Sequence, residues 1–460
     1  MNKYIAGLDI GTTKIACFIG ERAESGKIRI VGYAKTDSAG VVHGTVMNIV
    51  DTARSITHAV YEAAEMAHTE VTEVYVGIAG QHIKSGSNRG SIMIPEDHPQ
   101  IQASDIDLLI DNQYRILLGP GEDIIHVFPQ DYYVDGQLLD PEIDPVGVSG
   151  KCLEANFHIV TGNTTNIRNI RDAIQQAGLI MKGVVLEPVA SSYAVLNDLD
   201  RLAGVALVDI GGGTTDIAIF KDHHIRHSYV IPLAGNAITK DIQDSCQILK
   251  HQAESLKTRF GSCRPSTVSA DEIISIPGIR SQTPREISVK TLANIIKART
   301  EMILEQVGYE IGQSGYNRQL LAGITLTGGG SQLKNIQEFC ELITGIDTHI
   351  GIPNENLETQ GGVNIDEISH PMFATGIGLV FYGFQETERL EARNLNNQQA
   401  DPAPESKSAP EVEEIEIADE QSDEKDSDQS KSHKRRSDRH FEDALRKWLD
   451  KFLSDKDLNE

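Results

Sequence analysis

Two stretches of this chain set acidic, glycine and hydroxyl residues in the same order. Near the start the sequence reads Leu8-Asp9-Ile10-Gly11-Thr12-Thr13-Lys14-Ile15. Far downstream it reads Val208-Asp209-Ile210-Gly211-Gly212-Gly213-Thr214-Thr215-Asp216-Ile217. Each runs from apolar residues to an Asp, through a glycine turn with threonines, and back to apolar residues. That order predicts strand, tight turn, strand: a β-hairpin whose tip is small and polar. Glycine lets the backbone approach a ligand, and exposed N–H groups with Thr hydroxyls suit phosphate oxygens. A strand-end Asp suits a hydrated Mg2+. One such hairpin is more often an ordinary turn. Two copies, followed by Thr327-Gly328-Gly329-Gly330-Ser331, point to two related domains closing on one nucleotide phosphate chain from opposite sides.

The elements that must hold these turns are those of a turn-rich α/β protein. The chain has 460 residues, 39% hydrophobic, with 40 glycines and few aromatics. That length exceeds what one hydrophobic core supports, so several domains are expected. A net charge of −25 argues against nucleic acid as a partner. Cys17, Cys152, Cys246, Cys263 and Cys340 are odd in number and widely spaced, which predicts a reducing compartment, no structural zinc and buried thiols. Asp9 and Lys14 interrupt the N-terminal apolar stretch, so it does not read as a signal peptide. No apolar run reaches the length of about eighteen residues that would suit a membrane span.

Strands are expected near 4–10, 15–20 and 28–35, with a helix over 52–67 presenting Ile56, Val60, Ala63, Ala64 and Ala67 on one face, and a strand over 74–79. Residues 84–161 read as a separate α+β insertion: a polar turn at 85–89, a helix over 101–118 capped by Ser104, and strands at 124–128, 131–134 and 153–160. The main fold resumes with a helix over 164–177 and a strand over 182–186 leading into Glu187-Pro188. A short helix over 189–197 precedes the second hairpin. Helices over 235–249, 251–260 and 289–311, a strand over 323–326, and helices over 333–342 and 371–381 complete the body.

From about Gln385 the composition changes. Residues 401–430 carry twelve acidic residues against Lys407 and Lys425, a net −10, with almost no large apolar residues. Such a segment is predicted to be disordered and extended. Beyond a basic cluster, Phe441, Leu445, Trp448, Leu449, Phe452 and Leu453 fall on one stripe of a 3.6-residue helix flanked by Arg446, Lys447 and Lys451. That pattern fits a helix lying in a membrane interface, with rings inserted and cations towards anionic headgroups. Docking on the chain's own core or in a partner's groove are the rival readings. One short helix binds only reversibly, so stable residence implies several copies acting together.

The ordered set Asp9 to Lys14, Glu187-Pro188, Asp209 to Asp216, Thr327 to Ser331 and the late Ala374-Thr-Gly-Ile-Gly378 resembles the actin/Hsp70/sugar-kinase ATPase superfamily. Within it the chain is similar to the FtsA family of actin-like bacterial cell-division proteins. Val74 to Gly80, Gly235 to Lys240, the insertion and the tethered C-terminal stripe carry that closer likeness. The resemblance covers residues 1 to about 384, while the acidic stretch is longer than expected and offers no family motif.

The resemblance implies a two-lobed actin-like ATPase fold, duplicated ribonuclease-H-like domains with a small α+β insert, a disordered linker and a C-terminal amphipathic helix. Its expected parts are 1–83 with 162–197, the insert 84–161, 198–233 with 310–384, 234–309, a linker over 385–437 and a membrane-targeting helix over 438–456. It further implies that Gly11, Thr12, Thr13 and Lys14 meet ATP phosphates from one side, and Gly211, Gly212, Gly213, Thr214 and Thr215 from the other. Asp9 and Asp209 would face Mg2+ through water. Gly235 would open a helix near the phosphates, Glu254 and Lys257 would meet the ribose and base, and Gly328, Gly329, Gly330 and Ser331 would line the adenosine pocket. Read from spacing alone, Glu254 and Lys257 make a surface ion pair. Glu187 would orient an attacking water; its rival reading is a helix-start residue.

By the same resemblance the protein would bind ATP with at most slow hydrolysis and self-assemble on anionic lipids at the cytoplasmic side of the inner membrane. It would anchor the tubulin-like FtsZ through that protein's C-terminal peptide, at 234–309, and help recruit later division proteins. A sugar kinase of the same superfamily has no use for the acidic tether and anchor, and an Hsp70-like chaperone would need a folded domain where 386–437 cannot form one. A shape-determining or pilus-assembly actin homologue is the nearer rival.

Overall fold

A computed structural model of the chain describes residues 4–269, 271–277, 284–353, 357–358 and 362–399. The acidic stretch 401–430 and the apolar stripe from Phe441 to Leu453 lie outside the described residues.

The two related stretches fold alike. Strand Tyr4–Ile10 pairs antiparallel with Lys14–Arg22, Ile10 opposite Ile15, and the Gly11 N–H donates to the Lys14 carbonyl at 3.0 Å to close the turn. Strand Val205–Ile210 pairs with Thr215–Lys221, Ile210 opposite Thr215, and the Gly211 N–H donates to the Thr214 carbonyl at 2.9 Å.

Each hairpin sits in a five-stranded sheet of the same plan. On one side lies a third antiparallel strand, Ile28–Asp37 in the first sheet and His224–Ile231 in the second. On the other lie two parallel strands: Glu73–Ile78 then Ile180–Leu186, and Ile324–Thr327 then Thr348–Ile350. The central strands are buried almost throughout. Both their faces are covered, which is why they read as continuous apolar runs rather than alternating ones.

Helix Ile49–Ala67 lays Ile56, Ala59, Val60 and Ala63 on the first sheet beside Ile170, Ala173 and Ile174 of Thr164–Gln176. Asn48 caps it, accepting from the Asp51 N–H at 3.2 Å. Gly235–Cys246, Lys250–Phe260 and Val289–Gln313 build the second core with Ile238, Ile242, Leu256, Leu292 and Ile296. Helix Asp198–Ala203 and the hairpin Ile273–Ile276 with Arg285–Ser288 were not foreseen. The helix expected from 333 begins at Ile336, after a 3-10 turn over Gly329–Gln332.

Two helices pass behind the turns, Glu187–Val195 and Ala374–Gln399, the latter preceded by a 3-10 turn over Pro371–Phe373. They cross backbone to backbone: a Cβ on Gly378 would lie 1.8 Å from the Ala190 carbonyl oxygen. The final helix runs on to Gln399, across the composition change near Gln385.

The insert is a four-stranded sheet in the order Lys84–Met93, Cys152–Asn163, Glu122–Val134, Gln137–Leu138, with helix Ala103–Gln113 against it. Its own core holds Leu109, Leu153, Ala155 and Phe157. Residues 85–89, expected as a turn, belong to the edge strand, because Cys152–Asn163 supplies a full ladder to their backbone. The two short strands expected at 124–134 are one strand that crosses Pro129; Phe157 opposes Pro129 and Asn156 opposes Asp131, so Gln130 bulges out. Gln102, not Ser104, begins the insert helix, its N–H donating to Asp105 Oδ2 at 2.8 Å, and the helix ends at Gln113. All five cysteines are free thiols; Cys17, Cys263 and Cys340 are buried.

Candidate functional site

The two glycine turns meet tip to tip between the sheets. A Cβ on Gly212 would lie 2.5 Å from Thr13 Cγ2, and one on Gly213 would lie 2.5 Å from Thr12 Oγ1. The His43 ring reaches the Gly213 carbonyl at 3.2 Å, and the Gly44 N–H donates to Thr12 Oγ1 at 2.9 Å. Among the described residues the N–H groups of Thr12, Thr13, Gly212 and Gly213 have no acceptor within the protein. Four amide donors from two sheets thus stand at one place.

Behind the tips is a cavity of about 390 Å³. Asp9, Gly11, Thr12, Thr13, Lys14, Glu187, Asp209, Gly211, Gly212, Gly213, Thr214, Gly235, Glu254, Lys257, Gly328, Gly329 and Gly330 line it. Two expected residues do not. The Thr215 hydroxyl donates to the Leu233 carbonyl at 2.7 Å and the Ser331 hydroxyl to the Gly328 carbonyl at 2.8 Å. Both hydroxyls tie down the turns from behind. Asn236, Thr258, Gln332, Lys334, Met372 and Thr375 also line the cavity and were not assigned from sequence.

Gly235 opens its helix against the second turn. Its N–H donates to the Gly211 carbonyl at 3.1 Å and the Asn236 N–H to the Gly212 carbonyl at 2.8 Å. The helix end therefore braces the turn, and these two amides are already committed. Glu254 and Lys257 do form an ion pair, at 2.8 Å, but on the cavity wall. The Lys257 ammonium also donates to the Gly235 carbonyl at 3.0 Å and Thr239 Oγ1 at 2.9 Å. With three donors placed on three acceptors, Lys257 acts as a brace for that helix rather than as a free cation.

The floor carries an excess of acid. Asp9, Asp209 and Asp216 are buried. Lys14 pairs with Asp9. Burial works against the Lys14 charge, but Asp9, Asp209 and Glu187 outweigh it and raise its pKa. The Glu187 carboxyl is held well above the usual range by desolvation and then by Asp9, Asp216 and Asp209, with Lys14 opposing. Asp209 is raised by burial, against a hydrogen bond from Ser191. Burial and Asp209 push Asp216 up to about 8. Its Oδ2 accepts from the Thr214 hydroxyl at 2.9 Å, while its Oδ1 is buried without a partner.

Asp9, Glu187 and Asp209 line the cavity around the single Lys14 ammonium, with Asp216 buried behind them, and three carboxyl groups facing one cleft with one cation among them are a donor set that fits a hydrated divalent cation. Among the described residues no three acidic or imidazole groups converge to cage one directly. Mg2+ keeps most of its waters and takes one or two carboxylates with substrate phosphates, so this arrangement suits it. When bound, Mg2+ would neutralise phosphate charge, and Asp9 and Asp209 on the cavity wall are the carboxylates that would hold it through water.

Comparison with known proteins places this architecture. The family described as cell division protein FtsA matches residues 206–378, and the SHS2 domain inserted in FtsA matches residues 80–161. Cell division protein FtsA of Neisseria meningitidis serogroup B is 40% identical over 82% of this chain and 89% of its own length. That of Pseudomonas aeruginosa is 36% identical over 84% and 90%, and that of Escherichia coli K12 is 32% identical over 83% and 90%. A solved chain of the PilM-PilN type IV pilus biogenesis complex shares the fold, with a TM-score of 0.59 at 15% identity, covering 82% of this chain and 98% of that one. Paired sheets of one plan, a family-specific insert within the first of them and relatives matched over most of their length lead to one assignment: the chain belongs to the FtsA family of actin-like cell-division proteins.

Proposed function

We propose that this protein binds Mg2+–ATP in the cleft between the twin turns and that bound nucleotide sets how the two lobes close. Closed subunits stack into filaments at the cytoplasmic face of the inner membrane, held there by the stripe Phe441 to Leu453. From that position the filament anchors FtsZ through its C-terminal peptide, at 234–309, and recruits later division proteins. The observation that carries the cleft reading is the quartet of unpaired amides at Thr12, Thr13, Gly212 and Gly213 in front of a buried acidic floor. The family supports the division role. The amide quartet can bind phosphates whether or not Glu187 on the cavity wall orients a water, and an ATP-dependent closure is enough for this role.

Two measurements test this. Equilibrium binding of a fluorescent ATP analogue to the full chain should show saturable affinity that Asp209→Ala lowers; no binding by the parent would refute the cleft reading. Imaging a fluorescent fusion with and without residues 438–460 should show loss of membrane and midcell signal on truncation. Unchanged peripheral signal would refute the anchor.

A further inference from the structure

Glu187 and Ser191 stand one helical turn apart on Glu187–Val195, so their side chains leave the same face. Ser191 is fully buried and donates its hydroxyl to Asp209 Oδ2 at 2.8 Å. Thr375, the second residue of the final helix, donates to the same oxygen at 3.3 Å and lies 3.0 Å from Ser191 Oγ. Where the two helices cross, Ala190 touches Gly378 backbone to backbone, which fixes the place of each hydroxyl. Asp209 Oδ1 lies instead beside Gly328; a Cβ there would come within 2.2 Å of it. Asp209 belongs to the second sheet, while the final helix packs on the first strand. One carboxylate of the second lobe is thus gripped by two hydroxyls from the helices that pass behind both.

We propose that Ser191 and Thr375 are positioning residues that fix Asp209 Oδ2 so that Oδ1 is presented to the hydrated Mg2+ of bound nucleotide. The inference rests on the reading of the cleft as a Mg2+–ATP site. Two neutral donors satisfy one oxygen without adding charge, so the full negative charge of Asp209 remains for the cation. An ammonium in either place would cancel it. Removing such an orienting partner from a metal-facing carboxylate commonly costs about 10–100-fold in metal affinity.

The test measures ATP affinity of the full chain in excess Mg2+ and in EDTA, together with the melting temperature, for Ser191→Ala, Thr375→Val and Thr375→Ser. Ser191→Ala and Thr375→Val should cut the Mg2+ enhancement of affinity about tenfold, while EDTA affinity changes little and the melting temperature falls by no more than the loss of one buried hydrogen bond requires. Thr375→Ser, which keeps the hydroxyl, should retain the enhancement. Equal losses in Mg2+ and EDTA would make the pair a packing feature and overturn the proposal, as would an intact enhancement in Thr375→Val. If Ser191→Ala fails to fold, the Thr375 pair decides alone. A parent that binds ATP equally well without Mg2+ overturns this proposal and leaves nucleotide binding standing; a parent that binds no ATP overturns the cleft reading itself.

Discussion

Thr13 of the first turn seals Gly212 of the second: a Cβ added at Gly212 would come within 2.5 Å of the Thr13 methyl. The contact crosses from one sheet to the other, so it reports closure of the cleft as much as it reports packing. Gly212→Ala should hold the tips apart and move the Gly212 and Gly213 amides off a shared phosphate. ATP affinity should fall about tenfold, equivalent to about 1.4 kcal/mol, with little change in melting temperature. Adding Thr13→Ala makes room for the new methyl and should restore part of the loss. Independent, additive effects of the two substitutions would count against direct contact.

Lys14 is the one ammonium among Asp9, Glu187, Asp209 and Asp216. Lys14→Met keeps the length and apolar stem of the side chain but leaves the carboxyl cluster without its cation. Breaking a buried pair in this way costs several kcal/mol, and because Lys14 keeps some access to solvent we expect about 2 kcal/mol at neutral pH in EDTA. Saturating Mg2+ should return part of that stability in the variant and less in the parent. Urea denaturation with and without Mg2+ measures both; a variant as stable as the parent in EDTA would show that the cluster is already neutralised by its own protons.

His126 lies against Phe128 and Tyr382, and its Nε2 accepts from the Leu186 N–H at 3.1 Å, immediately before Glu187. Burial pushes its pKa down to about 4. The unfolded chain takes up this proton below its ordinary value near 6.5, before the folded chain does. The contribution of His126 to stability is therefore complete above about pH 6.5 and is lost as pH falls towards 4, at up to about 1.4 kcal/mol per pH unit. His126→Gln, whose amide oxygen can still accept from Leu186, should lose this part of the acid sensitivity. Parallel pH profiles of parent and variant from 7 to 4 would exclude the assignment.

What sequence reveals here is set by what each residue contributes locally. Asp9, Gly11, Gly211 and Gly212 were legible because a tight polar tip between buried strands admits few residue types. The direction of a hydroxyl is not encoded that way: the Thr215 hydroxyl turns back to the Leu233 carbonyl and the Thr214 hydroxyl is given to Asp216. Ser191 and Thr375 were hidden for the same reason, although Ser191 follows Glu187 by four residues and Thr375 lies in a stretch already noted for its glycines. The edge strand Lys84–Met93 lacked an apolar alternation because most of its side chains are exposed; its ladder with Cys152–Asn163 is what makes it a strand. Past the composition change the final helix still meets the body, Glu388 pairing with Arg22 of the first hairpin, and Arg389 pairs with Glu386 at 3.0 Å along the helix itself.

The insert interrupts the first sheet, between Glu73–Ile78 and Ile180–Leu186, yet it is fastened to the edge strand of the second. Arg226 on that strand is nearly buried and donates to Asp131 Oδ1 of the insert at 2.6 Å and to Asp222 Oδ2 at 3.2 Å. Gln130, bulged out of its own ladder, donates to the Ile225 and Arg226 carbonyls at 2.9 and 3.0 Å, and the Ser85 hydroxyl donates to the Ser228 carbonyl at 2.8 Å. A buried guanidinium that loses one of two carboxylates keeps part of its compensation, so Asp131→Asn should cost less than removal of both. We expect about 1–2 kcal/mol for Asp131→Asn and about 3 kcal/mol for Arg226→Met, which takes the guanidinium from both carboxylates and leaves them only Asn156 and Lys221. If the fastening is specific, hydrogen exchange in Asp131→Asn should rise in Glu122–Val134 and His224–Ile231 while Tyr4–Ile10 and Lys14–Arg22 keep their protection. Exchange rising equally in all four strands would mean that the pair supports the whole body rather than the seam between insert and second sheet.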